Sequence, residues 1–132
     1  MPELDPSTLV ATMPFAVQSG VEITAASPEA VVGHLDWRED RCTIGGLLHG
    51  GALMTLADSL GAVAAFLHLP DGAGTATVTS TTSLLRGLRE GRATGTSTVV
   101  HAGRRFITVR TDIADDDGRL LSTTTQVQAV LA

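Results

Sequence analysis

The segment LLHGGALMTLADSLGAVAAF, residues 47–66, decides the fold of this chain. It is small and apolar apart from one imidazole, His49, and one carboxylate, Asp58. Apolar residues cover nearly its whole circumference, so a helix from about Gly51 to Leu69 should be buried. The Pro70–Gly72 sequence that follows is typical of a helix stop.

The segments around this helix predict strands. A short helix near Ser7–Met13, with Ser7 as its N-cap, is expected first. Alternating apolar and polar residues then predict a hairpin before the long helix and four Thr/Val-rich strands after it. These strands are expected at residues 15–27, 29–37, 75–85, 92–102, 106–115 and 119–131. The order predicts an α+β fold, an antiparallel sheet of about six strands wrapped around one long central helix. A second copy of the chain would cover what the sheet leaves open.

Composition limits the class of protein. The length of 132 residues fits one domain, 1–132. A net charge of −5 disfavours nucleic-acid binding, which depends on neutralising phosphates. Cys42 is the one cysteine, which excludes an internal disulfide and favours the cytoplasm. The first residues lack the basic region of a signal peptide, and Asp58 in the longest apolar segment opposes a membrane span.

The sequence lacks the motifs of two common kinds of active site. The four histidines lack the spacing of metal ligands, so neither a metal nor a cofactor is expected. The G-x-S-x-G sequence of serine hydrolases is absent as well.

Asp58 and the residues that open the helix are the candidates for chemistry. Buried carboxylates are rare unless they are paired, and no Arg lies within one turn of Asp58. Gly50 and Gly51 stand where helical N–H groups lack partners and can hold an oxyanion. The structural alternatives are an acid bonded to a threonine hydroxyl or to an arginine, a plain glycine turn, and a capping or packing role for His49.

The spacing of these two groups predicts a dimer. Gly50 and Asp58 are eight residues apart, which is roughly 12 Å along a helix. Reacting atoms must come within about 3–3.5 Å of each other. If both groups act on one substrate, they must therefore belong to different copies, as in two antiparallel helices packed side by side.

The sequence GGLLHGGALMTLAD, residues 45–58, resembles the signature of hotdog-fold acyl-CoA thioesterases of the phenylacetate-degradation type. Their motif reads N-x-x-G-x-x-H-G-G and is followed by an acid; the matching residues are Gly46, His49, Gly50, Gly51 and Asp58. Residues 84–91 and 101–125 resemble further parts of the family, so the likeness covers nearly the whole chain. It implies a hotdog fold, hydrolysis of an acyl-CoA substrate, and a homodimer that assembles into a homotetramer.

The resemblance also implies roles for individual residues. Asp58 would be the general base or the nucleophile, and the Gly50 N–H would polarise the thioester carbonyl from the opposing subunit. Thr77 would help to place the water. Thr43 stands where the motif usually has an amide and would donate through its hydroxyl over a shorter reach. Substrate contacts are expected from His49, Gly51, Arg86, Arg89, Arg104 and Arg105, the arginines near the CoA phosphates.

Two other functions fit the same fold. A hydratase or dehydratase of acyl thioesters usually needs a paired Asp and His, and His49 is nine residues from Asp58. A non-catalytic module that binds acyl-CoA would be expected to carry a DNA-binding domain, for which 132 residues leave no room.

Overall fold

The computed structural model describes residues 5–132. Six antiparallel strands form one sheet in the order β1-β2-β4-β5-β6-β3, and the long helix α3 packs against it. This arrangement confirms the predicted α+β architecture. The helices and strands are α1 (Pro6–Ala11), α2 (Pro14–Ser19), β1 (Glu22–Ala26), β2 (Val31–Asp36), α3 (Gly50–Phe66), β3 (Gly74–Leu84), β4 (Arg92–Ala102), β5 (Phe106–Ala114) and β6 (Leu120–Leu131).

The helix α3 lies very close to the middle of the sheet. Its buried residues include Leu53, Leu56 and Leu60, and its strand neighbours include β2, β4 and β5. A Cβ atom added to Gly33 or Gly95 would come within 2.6 or 2.7 Å of the Leu60 side chain. Leu60 is fully buried, so these two glycines create the space that lets it pack directly on the strands.

One face of α3 remains uncovered in the protomer. Met54, Asp58 and Phe66 are exposed, and Thr55 and Ala62 between them are half-buried. The expectation that the sheet leaves part of α3 uncovered agrees with one chain, in which Asp58 is exposed; the second copy that was expected to bury this part stays a prediction. The sheet covers one side of the helix only, and we refer to the five residues above as the open stripe.

The N-terminal region differs from the prediction. The strand expected from residue 15 is wrong over its first part, because Pro14–Ser19 forms helix α2. Proline at the first helical position and Gly20 at the end, with a φ of 93°, favour this helix. The N-cap of α1 is Asp5 rather than Ser7; its carboxylate accepts a hydrogen bond from the Ser7 N–H at 3.0 Å.

The strand β3 lies at one edge of the sheet and is exposed over almost its whole length. A bulge interrupts its pairing with β6 between Thr77 and Thr79. Within residues 5–132, none of the helices has the length and apolar character needed to cross a membrane.

Removing the side chain at the centre of the helix–sheet contact should destabilise the fold. We expect Leu60→Ala to lower the free energy of unfolding by about 2–5 kcal/mol, because it deletes buried contacts and leaves a cavity. Val100→Ala, at a side chain that is 63% exposed, should change it by less than about 0.5 kcal/mol. Urea unfolding at one protein concentration measures both. Equal losses would contradict the central role of Leu60.

Candidate active site

Asp58 is held by a buried amide. Its Oδ1 atom accepts a hydrogen bond of 2.8 Å from Nε2 of Gln126, a residue of β6. Neither partner that the sequence suggested for a structural acid, a threonine hydroxyl or an arginine, takes this place. Within the described residues the other oxygen, Oδ2, has no hydrogen-bond partner and is available for chemistry.

A pocket of about 420 Å³ lies beside Asp58, between α2, α3 and β3. The hydroxyl of Thr55 donates to the Gly51 carbonyl and that of Ser59 donates to the Thr55 carbonyl, at 2.9 and 2.7 Å. These hydroxyls are therefore occupied by the helix backbone. The pocket is lined by Met13, Phe15, Ala16, Met54, Thr55, Asp58, Ser59, Ala62 and Ser80.

The hydroxyl that β3 brings to this pocket belongs to Ser80, not to Thr77. The Thr77 hydroxyl accepts a hydrogen bond from Nε2 of Gln128 at 2.7 Å and does not line the pocket. After the bulge, Ser80 pairs with Gln126, the residue that holds Asp58. Sequence reasoning missed Ser80 because a bulge leaves no mark in a uniform run of threonine and serine.

The start of α3 presents one free donor. His49 is the N-cap, and its Nδ1 accepts a hydrogen bond from the Gly51 N–H at 2.9 Å. In the neutral ring this bond leaves the proton on Nε2. The Gly50 N–H has no acceptor among residues 5–132. Gly50 therefore offers an unused N–H at the positive end of the helix dipole.

Thr43 lies at the same end of the helix, in a short loop closed by a bridge between Cys42 and Leu48. The loop carbonyls of Gly45 and Gly46 accept hydrogen bonds from side chains elsewhere in the fold. The structure thus brings His49, Gly50 and Gly51 together at the helix start, leaves Thr43 in the adjoining loop opposite Leu47, and places Asp58 two turns further along. One protomer does not bring the predicted residues together.

A second pocket, of about 550 Å³, opens at the helix start. His49 and Gly51 line it, and it shares Phe15 and Thr55 with the pocket beside Asp58. The two pockets therefore adjoin each other along the open stripe.

The four predicted arginines do not form one cluster. Arg86 and Arg89 lie beside Asp115–Asp117, and Arg89 donates to the Gly45 carbonyl at 3.1 Å. Arg104 and Arg105 are exposed in the turn at the other end of β4, a strand of 11 residues and therefore roughly 35 Å long.

Carboxylates and arginines alternate around Arg86. Arg119 forms ion pairs with Asp115 and Asp117, with N–O distances of 3.4 and 2.7 Å. Hydrogen bonds from backbone N–H groups, that of Arg119 first, lower the pKa of Asp115. Arg86 and Arg89 therefore share their pocket with carboxylates of the protein itself, which compete with a phosphate for them.

The fold and these groups can be compared with known proteins. The sequence profile of the thioesterase superfamily matches residues 45–122. Rv1847 of Mycobacterium tuberculosis is 29% identical over 120 residues, which cover 89% of this chain and 86% of that protein. The 1,4-dihydroxy-2-naphthoyl-CoA hydrolase of Escherichia coli is 35% identical over 86 residues, 65% of this chain and 63% of that enzyme.

A solved structure agrees over nearly the full length. A mutant of thioesterase PA1618 from Pseudomonas aeruginosa superimposes with a TM-score of 0.91 at 27% identity, over 97% of this chain and 94% of that one. The profile match spans more than half of the chain and includes the helix start, Asp58 and Ser80. The chain belongs to the thioesterase superfamily and is a thioester hydrolase with the hotdog fold.

Proposed function

We propose that the protein hydrolyses acyl-CoA thioesters to the free acid and CoA, at a site shared by two copies of the chain. One observation carries this proposal: the open stripe of α3 has a free N–H donor at one end, Gly50, and a carboxylate with one unbound oxygen, Asp58, two turns away. Thioester hydrolysis needs both groups, a donor for the oxyanion and an acid that acts on water or on the carbonyl.

The reaction follows from these positions. As general base, the free oxygen of Asp58 takes a proton from water while the water oxygen bonds to the thioester carbon. As nucleophile, the same oxygen bonds to that carbon and water later releases the acid. In both routes the Gly50 N–H stabilises the oxyanion, and the C–S bond breaks to release the CoA thiolate. Ser80 is placed to hold the water, since the Thr77 hydroxyl is engaged by Gln128.

The open stripe and the edge of β3 support a dimer. β3 has 11 residues and one side of its backbone is unpaired, the kind of edge that proteins normally cover. Exposed apolar side chains, Met54 and Phe66 on α3 and Val78 and Leu84 on β3, lie along this surface. A second copy pairing through β3 would cover the edge and the stripe together.

The lengths of the two elements favour one register for this dimer. Leu84 of β3 packs against Gly50, and Ser80 lies beside Asp58. Four residues of strand cover about 13 Å, close to the roughly 12 Å that separates Gly50 from Asp58 along the helix. An antiparallel β3–β3 pairing centred on Thr82 places Ser80 of one copy opposite Leu84 of the other. It therefore brings Asp58 of one copy towards Gly50 of the other.

The remaining binding groups fit a CoA ester in part. Arg104 and Arg105 are exposed and lie at the opposite end of the sheet from the acidic turn, so we assign the CoA phosphates to them rather than to Arg86 and Arg89. The homotetramer stays a prediction. The hydratase alternative gains no support, because His49 and Asp58 line different pockets.

Replacing the acid should abolish activity and leave the fold intact. Asp58→Asn keeps the size of the side chain but cannot accept the proton or attack the carbonyl. We expect kcat to fall by about 10²–10⁴, measured as free thiol released from a panel of acyl-CoA esters. Circular dichroism is the control for folding. A variant that retained more than about a tenth of the wild-type kcat would make Asp58 a structural acid.

Thr43 should contribute to the oxyanion site if its hydroxyl meets the carbonyl. Thr43→Val keeps the shape and removes the donor, so kcat should fall on the order of 10²-fold. Thr43→Asn restores the amide usual in the family and should preserve or raise kcat. Steady-state kinetics on both variants measures this effect. A valine variant with the wild-type kcat would leave Gly50 as the only donor.

Mixing two inactive variants tests the shared site. Asp58→Ala removes the acid, and Gly50→Pro removes the N–H that would hold the oxyanion. Each should be nearly inactive by itself. When the two are unfolded and refolded together in equal amounts, random pairing makes half of the dimers mixed, each with one intact site of two. Activity should then recover to roughly a quarter of wild type.

The proline could distort the helix start, so each variant must first give a native circular dichroism spectrum and the size of a dimer. If both variants pass and their mixture remains inactive, then Gly50 and Asp58 do not meet across an interface.

A further inference from the structure

Gln126 belongs to a row of buried polar side chains on β6, with Ser122, Thr124 and Gln128. It is fully buried on β6, and its amide extends towards α3, where Nε2 reaches Oδ1 of Asp58 at 2.8 Å. Its other polar atom, Oε1, is also buried and has no partner among residues 5–132. Leucine or methionine would fill this space without taking two polar atoms out of water. We therefore conclude that an amide stands at position 126 because it contacts Asp58.

A glycine in α3 leaves room for this amide and makes the helix less stable. Gly61 lies one turn after Asp58 in the middle of α3, where glycine is about 1 kcal/mol less favourable than alanine. A Cβ atom at this position would overlap the amide oxygen of Gln126. Gly61 thus opens the passage through which Gln126 reaches the carboxylate. Gly61 is unfavourable in a helix and Gln126 is unfavourable at a buried position of a strand. Both are needed for the hydrogen bond to Asp58.

We propose that Gln126, admitted by Gly61, is a positioning residue for the hydrolysis. Asp58 projects from the open stripe, where no close packing fixes its side-chain rotation. A hydrogen bond from a rigid, buried amide holds Oδ1 and presents Oδ2 to the pocket that contains Ser80. This inference rests on the proposed function of Asp58. Because misplacement by about 1 Å can cost 10²-fold in rate, the effect should appear in kcat and not in KM.

The chain contains a matched control, Gln128. It lies two residues further along β6 on the same face, is equally buried, and donates to Thr77 instead of Asp58. Gln126→Met removes one buried amide and one hydrogen bond, whereas Gln128→Met removes one buried amide and two hydrogen bonds, because the Gln128 Oε1 also accepts from the Thr75 hydroxyl at 3.3 Å. A purely structural role would make Gln128→Met at least as damaging as Gln126→Met, in stability and in activity.

The experiment measures kcat, KM and urea unfolding for the wild type and the two methionine variants, with the best acyl-CoA of a panel. We expect Gln126→Met to lose about 10- to 100-fold in kcat with KM changed less than about threefold. Gln128→Met should keep kcat within about twofold, at an equal or greater cost in stability. A wild-type kcat in Gln126→Met, or equal losses in both variants, would overturn the inference.

If Gln126→Met does not fold, Gln126→Asn provides the second test. It keeps an amide in the core but is one methylene too short to reach Asp58, so the same loss in kcat is expected, and a wild-type kcat would overturn the inference.

Gly61→Ala tests the passage independently. The added methyl group should push the Gln126 amide away from Asp58 and lower kcat without changing any polar group. In a Gln126→Met background the same alanine should cause no further loss of kcat, because the effects of two residues in contact are not additive. Fully additive losses of kcat would contradict the coupling of Gly61 with Gln126.

These outcomes distinguish the two proposals. An inactive wild type, or an active Asp58→Asn, would refute the proposed function itself, whereas an active Gln126→Met in a working enzyme refutes only the role of Gln126.

Discussion

The contact of Leu60 with Gly33 and Gly95 determines how closely the helix lies on the sheet. The two glycines remove the side chains that would hold α3 away, so the helix lies directly on β2 and β4. The sheet covers this side of the helix and leaves the other side exposed, so the core lies beneath α3 and the open stripe faces away from it. Every group proposed for the chemistry lies on this stripe or borders it.

The position of the stripe explains why the proposed site would need two copies of the chain. A helix has one N-terminus, and its free N–H groups cannot also lie beside a side chain two turns away. The spacing along β3 matches the spacing along α3, with Leu84 at Gly50 and Ser80 at Asp58. A two-fold axis at Thr82 would place Ser80 of one copy opposite Leu84 of the other, and so Asp58 of one copy near Gly50 of the other. The same edge that exposes unpaired backbone would then complete the proposed site.

The sequence predicts the large elements because their signals are local. The four C-terminal strands alternate with period two and are bounded by turns, and the helix has an apolar circumference with a clear stop at Pro70. The spacing between the glycine pair and the acid identified Gly50 and Asp58 as the candidate site residues. Helix α2 was missed because residues 15–19 were assigned to the same strand as the alternating residues after them, whereas the proline and glycine at the two ends of α2 favour a helix.

The details of the site depend on long-range placement. The bulge in β3 puts Ser80, instead of Thr79, opposite Gln126, and the sequence of this strand does not show where a bulge occurs. Arg86 and Arg104 both follow strands, but only the sheet order shows that they lie at opposite ends. Gln126 did leave a signal that could have been used. It is an amide at an inward position of a strand, and a buried amide normally has a specific hydrogen-bond partner.

Several residues near Asp58 conflict with the element that contains them. Gly61 weakens a helix, Gln126 buries an amide, and the acid stands in an otherwise apolar sequence. Each would be replaced if stability alone were selected, since alanine, methionine and leucine suit these positions better. Gln126 contacts both of the others, Asp58 through a hydrogen bond and Gly61 through its amide oxygen. The three unfavourable residues therefore meet at one place in the fold, beside the Oδ1 atom of Asp58. Local rules are broken in this way where a protein places a reactive group.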